Sequence, residues 1–361
     1  MSGRKIAHFV VTLIVPMIFV GCGAYNNPAS VPPATTPRLM LVANSISNSI
    51  SSFVIDPKTG QLTAKETVPT GGTNSRVIAL EPSGRFAYVG NSSSNNISVF
   101  AIDANTAHLS AVGSAVSVGS RPGFITVGPM RNVLYAVNSQ ANGITGFSID
   151  PSTGALTPLT GSVPTDDAPV ALSFHPSGQF AYLANFNSGD LTVYRVDNAG
   201  TLGLLGAVPV GLSLSAISMH PSGRFVYVAS LASNEITTLS IDQASGALTA
   251  LEPRATTENG PNSITIDSRG RFAYVTNAIA SSISVFAIDA AKGTLTLRST
   301  TIAGAIPVSL TLDPSGRFAY AANEGSDDVT LFAVDANTGA LTPVGAPVKA
   351  GSGPTWLTLV N

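Results

Sequence analysis

The chain has 361 residues, of which 44% are hydrophobic and only 11% are charged, and its formal net charge is −2. The 34 glycines and 24 prolines favour short buried strands joined by tight turns over long helices. Because the basic side chains do not outnumber the acidic ones, we expect no nucleic-acid partner.

Residues 1–21 have the pattern of a signal peptide. Arg4 and Lys5 precede an apolar run over residues 6–20, which is short for a membrane span and ends at Gly21 and Cys22. The segment resembles a bacterial lipoprotein signal, and the resemblance implies cleavage before Cys22, lipidation of that cysteine and attachment to a membrane. The alternative is an ordinary secretory signal with an incidental cysteine. Both interpretations predict export, to the periplasmic side or the cell surface.

Residues 22–37 are expected to form a tether. The segment is rich in Ala, Asn, Ser and Thr, contains four prolines and has almost nothing to bury. Such a composition predicts an extended linker between the signal and the folded part.

From residue 38 to residue 361 the chain is an internal repeat, which predicts one domain because each unit buries its apolar face only against its neighbours. The repeated segment resembles Pro-Ser-Gly-Arg-Phe-Ala-Tyr-Val-x-Asn. Successive copies end 45 to 47 residues apart, at Asn44, Asn91, Asn138, Asn185, Ser230, Asn277 and Asn323.

Each repeat contains four short β signals, named strands A to D. In one copy, residues 77–80 predict strand A, residues 81–84 a turn, residues 86–91 strand B, and residues 97–103 a strand C with one buried face. A second hairpin begins at an aspartate and leads into strand D. The seven aspartates are read as turn starters and not as calcium ligands, and no metal site is predicted; they are Asp56, Asp103, Asp150, Asp197, Asp242, Asp289 and Asp335.

Four antiparallel strands repeated around an axis predict an all-β fold, a seven-bladed β-propeller. Residues 38–44 match strand B with no strand A before them, while residues 354–360 match strand A with no strand B after them. We therefore expect the C-terminal strand to complete the N-terminal blade and close the ring.

The copies at residues 84–91, 223–228 and 270–277 resemble the YVTN-repeat and 6-phosphogluconolactonase-like propellers. The resemblance covers residues 38–361. It implies a ligand site at the mouth formed by the D-to-A and B-to-C loops, and an activity, where there is one, of metal-independent hydrolysis of a sugar lactone. No cofactor is implied.

At this mouth we expect a small set of charged, aromatic and amide side chains. The candidates for catalysis are Arg76, Arg121, Asp167 and Glu324, and the candidates for ligand binding are Arg76, Arg121, Trp356, Asn91, Asn323 and Glu258. An arginine fork suits a carboxylate or phosphate, and a nearby carboxylate suits a general base. Two alternatives stay open: the arginines pair with loop acids, and the asparagines form turns.

Two functions remain after this step. The first is a lipid-anchored extracytoplasmic propeller that binds a sugar-type lactone or related small carboxylate at the central mouth. Whether it also hydrolyses the lactone, and so is an enzyme, is left open. The second is a non-catalytic platform in the cell envelope for a glycan, peptide or protein. Lactonases of this superfamily usually carry a histidine at the entrance of strand A, and its absence here counts against the first function, since His175 and His220 precede Pro-Ser-Gly turns. The strong similarity between the blades favours the second.

Overall fold

The computed structural model describes residues 38–129 and 132–360, and every element assigned among them is a β-strand. The predicted signal peptide, the lipidated Cys22 and the predicted tether lie outside these residues. No helix in the described part of the chain is long and apolar enough to cross a membrane.

The strands form seven sheets. The first two groups along the chain are β1 (Arg38–Asn44), β2 (Ser49–Ile55) and β3 (Leu62–Pro69), then β4 (Ser75–Leu80), β5 (Phe86–Asn91), β6 (Asn96–Ile102), β7 (Leu109–Ala111) and β8 (Val116–Ser117). The third and fourth are β9 (Pro122–Val127), β10 (Val133–Asn138), β11 (Gly143–Ile149) and β12 (Leu156–Pro164), then β13 (Pro169–Phe174), β14 (Phe180–Asn185), β15 (Asp190–Val196) and β16 (Leu202–Pro209).

The remaining strands complete the ring. They are β17 (Leu214–Met219), β18 (Phe225–Ser230), β19 (Glu235–Ile241) and β20 (Leu248–Thr256), then β21 (Pro261–Ile266), β22 (Phe272–Asn277), β23 (Ser282–Ile288) and β24 (Leu295–Ile302), then β25 (Pro307–Leu312), β26 (Phe318–Asn323), β27 (Asp328–Val334), β28 (Leu341–Pro343) and β29 (Val348–Lys349), and finally β30 (Pro354–Val360). We number these groups as blades 1 to 7, and β30 joins blade 1.

Each blade is an antiparallel sheet in the order A, B, C, D, and strand D is split in blades 2 and 7. The ring closes as predicted. In blade 1, β30 pairs with β1 from Leu39↔Val360 to Ala43↔Trp356 before a bulge near Asn44. The predicted seven-bladed propeller, closed by its C-terminal strand, is therefore confirmed.

Burial of the strands decreases from the centre of the ring to its outer edge. Strand B is buried along its whole length in blades 2 to 7, whereas the D strands, such as β24, alternate between exposed and half-buried residues. Strand C was expected to bury one face only, and this is wrong: β23 is buried at six of seven positions. Each sheet packs between two neighbouring blades, so both faces of the inner strands are covered.

One end of the ring, the hairpin end, carries the A-to-B turns and C-to-D hairpins. The Gly-Arg-Phe-x-Tyr motif, present in blades 2, 5, 6 and 7, contacts the hairpin of the next blade there. The Tyr227 hydroxyl donates to the carbonyl of Gly293 in blade 6 at 3.0 Å, and Phe225 lies so close to Gly293 that a Cβ there would be 2.5 Å from its ring. The guanidinium of Arg224 stacks on Phe225 at 5.1 Å. The same tyrosine bond recurs in Tyr88, Tyr135, Tyr182 and Tyr320, which donate to Gly154, Gly200, Gly246 and Gly60.

The hairpin aspartates act as turn formers. Hydrogen bonds from the Ser152 hydroxyl and from the N–H groups of Ser152 and Thr153 lower the pKa of Asp150 to about 2. The corresponding aspartates of the other blades accept the same kind of backbone bonds. Turn geometry therefore explains why an aspartate recurs at the same position of each repeat.

The histidines that precede the Pro-Ser-Gly turns also lie at the hairpin end and connect neighbouring blades. Nδ1 of His175 accepts a hydrogen bond from the Ser177 N–H at 3.1 Å, so Nε2 carries the proton and donates to the Gly223 carbonyl at 3.0 Å. His220 makes the equivalent bonds to Ser222 and Gly270. Neither histidine is near the opposite end of the ring.

Candidate functional site

The D-to-A and B-to-C loops meet at the other end of the ring, which we call the mouth. In every blade, the first residue of the B-to-C loop donates its N–H to the carbonyl of the residue that precedes strand A. Ser92 donates to Asn74, and Glu324 donates to Ile306, both at 2.9 Å. The mouth is therefore formed by the loops that the sequence resemblance implied.

The residue that precedes strand A has a left-handed backbone in all seven blades. These residues, with φ between 53° and 80°, are Asn74, Arg121, Ala168, Ser213, Gly260, Ile306 and Gly353. For a side chain other than glycine this conformation costs on the order of 1 kcal/mol, so it persists only where surrounding contacts hold it. The Arg121 N–H, for example, donates to Asn95 Oδ1 at 2.7 Å, and Asn95 belongs to the preceding blade. The mouth loops are thus bonded across blades.

The asparagines that end strand B lie just below these loops and are fully buried. The Asn91 amide donates to Asn96 Oδ1 and Ser98 Oγ at 2.9 and 2.8 Å, and its oxygen accepts from Ser75 Oγ at 2.9 Å. Asn323 donates to strand C in the same way. The asparagines therefore connect strands A, B and C within a blade. The role of Asn91 and Asn323 as ligand contacts stays a prediction.

The second residue of strand A is a β-bulge in every blade. In β4, Ser75 pairs with Asn91 and Val77 pairs with Gly90, which leaves Arg76 outside the ladder. A bulge changes the direction of its side chain. The bulge residues in blades 1 to 7 are Thr355, Arg76, Gly123, Val170, Ser215, Asn262 and Val308.

Arg76 is the one charged residue among these bulges. Its side chain is half-buried, and its Nε and Nη2 atoms are inaccessible to solvent and have no hydrogen-bond partner in the protein. Burial lowers the pKa of the guanidinium, while the charge of Glu324 raises it and the charge of Arg121 lowers it. Arginine keeps its proton in proteins, so a buried positive charge with free donors stands at the mouth.

Trp356 directly follows the bulge of blade 1. Its ring is 2% exposed, and it meets Phe124 of blade 3 edge to face, with 5.8 Å between the ring centroids. Blades 1 and 3 are separated by blade 2, so the two rings reach each other at the central axis. The indole Nε1 of Trp356 is buried and has no partner in the protein. Phe124 was not among the predicted site residues, because an aromatic residue in strand A has the same pattern as a core residue.

Glu324 opens the B-to-C loop of blade 7. Burial raises the pKa of its carboxyl group, and the positive charge of Arg76 lowers it by less. Its Oε2 atom is buried without a hydrogen-bond partner, and no ion pair within 4.0 Å joins this described residue to Arg76. The charges of the two groups therefore interact across more than 4.0 Å, and Nε and Nη2 of Arg76 and Oε2 of Glu324 stay without a protein partner.

The remaining predicted residues lie at the rim of the mouth. Arg121 is exposed, and its charge reaches Arg76 from blade 3. Asp167 is exposed and accepts from the amides of Asn142 and Asn187 at 3.3 and 3.1 Å. Glu258 is exposed in the loop that leads into blade 6. The structure thus brings Arg76, Glu324 and Trp356 into the interior of the mouth and places Arg121, Asp167 and Glu258 on its rim.

The interior of the mouth has two sides. At the end of strand B, buried atoms without a protein partner occur on both sides, as in Asn44, Asn138 and Asn185. At the strand A bulge, at the residue after it and at the first residue of the B-to-C loop, they occur in four consecutive blades: Asn262 Nδ2 and Ser263 Oγ in blade 6, Glu324 Oε2 in blade 7, Trp356 Nε1 in blade 1, and Arg76 Nε and Nη2 in blade 2. We call this side the polar arc. The equivalent positions of blades 3 to 5, the apolar arc, are Gly123, Phe124, Val170, Ala171, Ser215 and Ala216, and the Ser215 hydroxyl is bonded to Pro261 O at 2.7 Å.

The two arcs suit a small molecule with one polar and one apolar face, and they offer a donor set, a buried positive charge and one carboxyl group that can move a proton. In the described part of the chain, no group of three or more His, Cys, Asp or Glu side chains is arranged to hold a metal ion.

Comparison with known families shows the origin of the fold. The family described as "Lactonase, 7-bladed beta-propeller" matches residues 8–121, 105–210, 207–271 and 247–358, which together span nearly the whole chain. A comparison with curated proteins finds no significant match.

Several solved structures share the architecture at low sequence identity. A candidate 6-phosphogluconolactonase from Bacteroides uniformis has a TM-score of 0.81 and 19% identity, with 90% of this chain and 100% of the other covered. A second one, from Bacteroides fragilis, has the same TM-score and identity, with 92% and 100% covered. The periplasmic gluconolactonase PpgL of Pseudomonas aeruginosa has a TM-score of 0.79 and 19% identity, with 91% and 99% covered. At these identities the likeness shows the fold alone.

Proposed function

Because the chain belongs to the seven-bladed lactonase family, we propose that it binds a small sugar-type lactone, or the carboxylic acid formed when the lactone opens, inside the mouth. The single observation that carries this proposal is the buried guanidinium of Arg76, whose Nε and Nη2 atoms have no protein partner. A buried charge without a partner is costly to keep, and binding sites are where such groups are found.

The two arcs support a sugar-type ligand. A sugar ring carries hydroxyl groups around its edge and C–H groups on its faces. The polar arc offers the buried donors and acceptors of Asn262, Ser263 and Trp356, whereas the apolar arc has the buried side chains of Phe124 and Val170 at the equivalent positions. Two of the similar structures are called 6-phosphogluconolactonases and one a gluconolactonase, which agrees with this class of ligand.

Hydrolysis in this site would use Glu324 as the general base. The carboxylate takes a proton from a water molecule, the water oxygen bonds to the lactone carbonyl carbon, and the ring C–O bond breaks. The leaving oxygen then receives the proton back from Glu324, and the product is an open-chain hydroxy acid. Burial raises the pKa of Glu324, which makes its carboxylate a stronger base.

The test is hydrolysis of a panel of aldonolactones by the purified protein, corrected for spontaneous opening. We expect Glu324→Gln to lower kcat by about 100-fold or more, the range for loss of a general base. Glu252→Gln is the matched control, because it removes an exposed carboxylate from the outer strand β20, away from the mouth, and it should leave kcat unchanged. Equal rates in the wild type and in Glu324→Gln would exclude Glu324 as the base.

A second candidate function is a non-catalytic platform for a glycan, peptide or protein partner. The observation that favours it is that all described histidines, His108, His175 and His220, lie at the hairpin end and not at the mouth. If no lactone is hydrolysed above background but a glycan or peptide binds at the mouth, this second function replaces the first.

We further propose that the protein is exported and held on a membrane through lipidated Cys22. The proposal rests on the sequence of residues 1–22, and the periplasmic location named for PpgL is compatible with it. Replacement of Cys22 by Ser should move the protein from the membrane fraction to the soluble fraction. Unchanged partitioning would exclude the anchor while leaving the ligand site untouched.

A further inference from the structure

We infer that the ligand carries a free carboxylate in addition to its lactone group, and that the Nε–Nη2 edge of Arg76 binds this carboxylate. The inference rests on the proposed function and names its substrate class. A lactone of a dibasic sugar acid, here called an aldarolactone, has this chemistry: one carboxyl group is closed into the ring and the other is free.

The first argument is the geometry of the available donors. Nε and Nη2 lie on the same edge of the planar guanidinium, so their N–H bonds run parallel and can meet the two oxygens of one carboxylate. Both nitrogens are buried and neither has a partner in the protein. A single ligand oxygen, such as a lactone carbonyl, would satisfy one of the two donors. A carboxylate satisfies both.

The second argument is charge. Three other described arginines have a carboxylate within 4.0 Å: Arg38 lies 2.6 Å from Asp313, Arg271 lies 3.7 Å from Asp267, and Arg254 lies between two glutamates. Among the described residues no acid forms such a pair with Arg76, and the charge of Arg121 acts on it from blade 3. With Glu324 ionised, these three mouth groups sum to one positive charge. An anionic ligand group neutralises it.

The third argument is the separation of roles. Arg76 and Glu324 interact electrostatically but form no ion pair within 4.0 Å, so a ligand can use both groups at different ends. The free carboxylate is bound by Arg76, and the buried indole N–H of Trp356 is available as a further donor. The lactone carbonyl is then left for Glu324. Arg76 is in this view a specificity-determining residue that does not take part in bond breaking.

The experiment compares two matched ligands, an aldonolactone and the aldarolactone that differs from it by the terminal carboxylate. Dissociation constants are measured by calorimetry for the wild type, Arg76→Gln, Arg76→Lys and Arg298→Gln. We expect the wild type to bind the aldarolactone about 10- to 100-fold more tightly, the value of a charged hydrogen-bonded pair. Both Arg76 variants should lose most of this preference, since Lys keeps the charge but not the two-donor edge. Arg298→Gln, on the exposed outer strand β24, should keep it.

Thermal melts of each variant confirm that a lost preference is not a lost fold. Equal affinity for the two lactones in the wild type, or a preference unchanged in Arg76→Gln, overturns the inference while the proposed function stands. Tighter binding of a 6-phosphorylated aldonolactone than of the aldarolactone also overturns it, since the edge would then select phosphate. If the open-chain dicarboxylate binds through Arg76 but no lactone binds, carboxylate recognition stands, and lactone binding and hydrolysis are excluded. If none of these ligands binds, both fail.

Discussion

The two ends of the ring are built by different rules. At the hairpin end, nearly every blade repeats one set of contacts with the next blade. A tyrosine hydroxyl donates to the carbonyl of the hairpin glycine, a phenylalanine ring packs against that glycine, and an arginine stacks on the phenylalanine. At the mouth, the backbone bonds between loops also repeat, but the side chains at and after the strand A bulge differ from blade to blade. Repetition therefore marks the contacts that hold the ring, and its loss marks the candidate site.

The same contrast appears in hydrogen bonding. Polar groups of the hairpin end, such as Asp150, His175 and Tyr227, have partners in the protein. Several at the mouth, including Arg76 and Glu324, have buried atoms with none. A buried polar atom without a partner costs about 1–3 kcal/mol. Contacts at the hairpin end should therefore contribute more to the free energy of unfolding than contacts at the mouth. This difference leads to four predictions.

The largest effect should come from opening the ring. Deletion of residues 354–361 removes β30 and exposes the edge of β1 that it covers. We expect the deleted protein to lose its cooperative thermal transition altogether, because every blade depends on its neighbours for burial. The control Trp356→Phe retains the strand and should still melt cooperatively. An unchanged melting temperature after the deletion would show that closure does not hold the ring.

The next effect compares a glycine at each end. Gly293 and Gly71 have almost the same φ, 74° and 73°, but a Cβ at Gly293 would meet the Phe225 ring at 2.5 Å whereas one at Gly71 would meet nothing within 4 Å. Gly293→Ala should reduce the free energy of unfolding by about 2–4 kcal/mol, from backbone strain and overpacking. Gly71→Ala should cost about 1 kcal/mol, from strain alone. Equal costs in denaturant titrations would mean that the Phe225 ring moves aside easily when a Cβ is added at Gly293.

A smaller effect concerns acid. Burial lowers the pKa of His175 and His220, so the folded protein keeps both neutral while the unfolded chain takes up protons near pH 6.5. Stability conferred by the neutral side chains is therefore present above pH 6.5 and is lost as the pH falls below it. The hairpin aspartates, whose pKa values are lowered below 3.8, add a loss only at lower pH. Unfolding midpoints measured from pH 8 to pH 5 should fall, and less so in His175→Gln/His220→Gln. A fall of equal size in that double variant would assign it to other groups.

The smallest effect separates the ends most sharply. Arg76→Gln should change the free energy of unfolding by less than about 0.5 kcal/mol or raise it. The substitution removes a buried charge, and the N–H donors lost with it had no partner in the protein. Tyr227→Phe at the hairpin end removes one satisfied hydrogen bond and should cost about 1 kcal/mol. A large destabilisation by Arg76→Gln would indicate a structural role for Arg76.

Much of this division could be predicted from the sequence, because repeated spacing determines a repeated fold. The Asn44-to-Asn323 register predicted seven blades, and the strand pattern of residues 38–44 and 354–360 predicted the closure. The contacts of the tyrosine and phenylalanine with the hairpin of the next blade could not be derived in the same way. Tyr227 and Gly293 are separated by 66 residues, and pattern analysis within a single repeat gives no sign that the motif of one blade contacts the hairpin of the next.

The candidate site was harder to predict. Arg76 and Trp356 were predicted as site residues at the mouth, but the reason for the position of Arg76 is a β-bulge, which changes register without any signature in the side chain itself. The asparagines were interpreted as turn formers or ligand contacts, whereas the structure shows Asn91 connecting three strands. Phe124 was missed, since only the three-dimensional ring brings it to Trp356.

The path of the first and last described strands has a practical consequence. β1 runs from the hairpin end towards the mouth, β30 runs back, and Leu39 pairs with Val360 at the hairpin end. Both ends of the described chain therefore leave the ring on the side opposite the mouth. Attachment through either terminus, to a lipid, a solid support or a fused domain, would present the mouth outward, so the ring can be held and its ligand site approached from opposite directions.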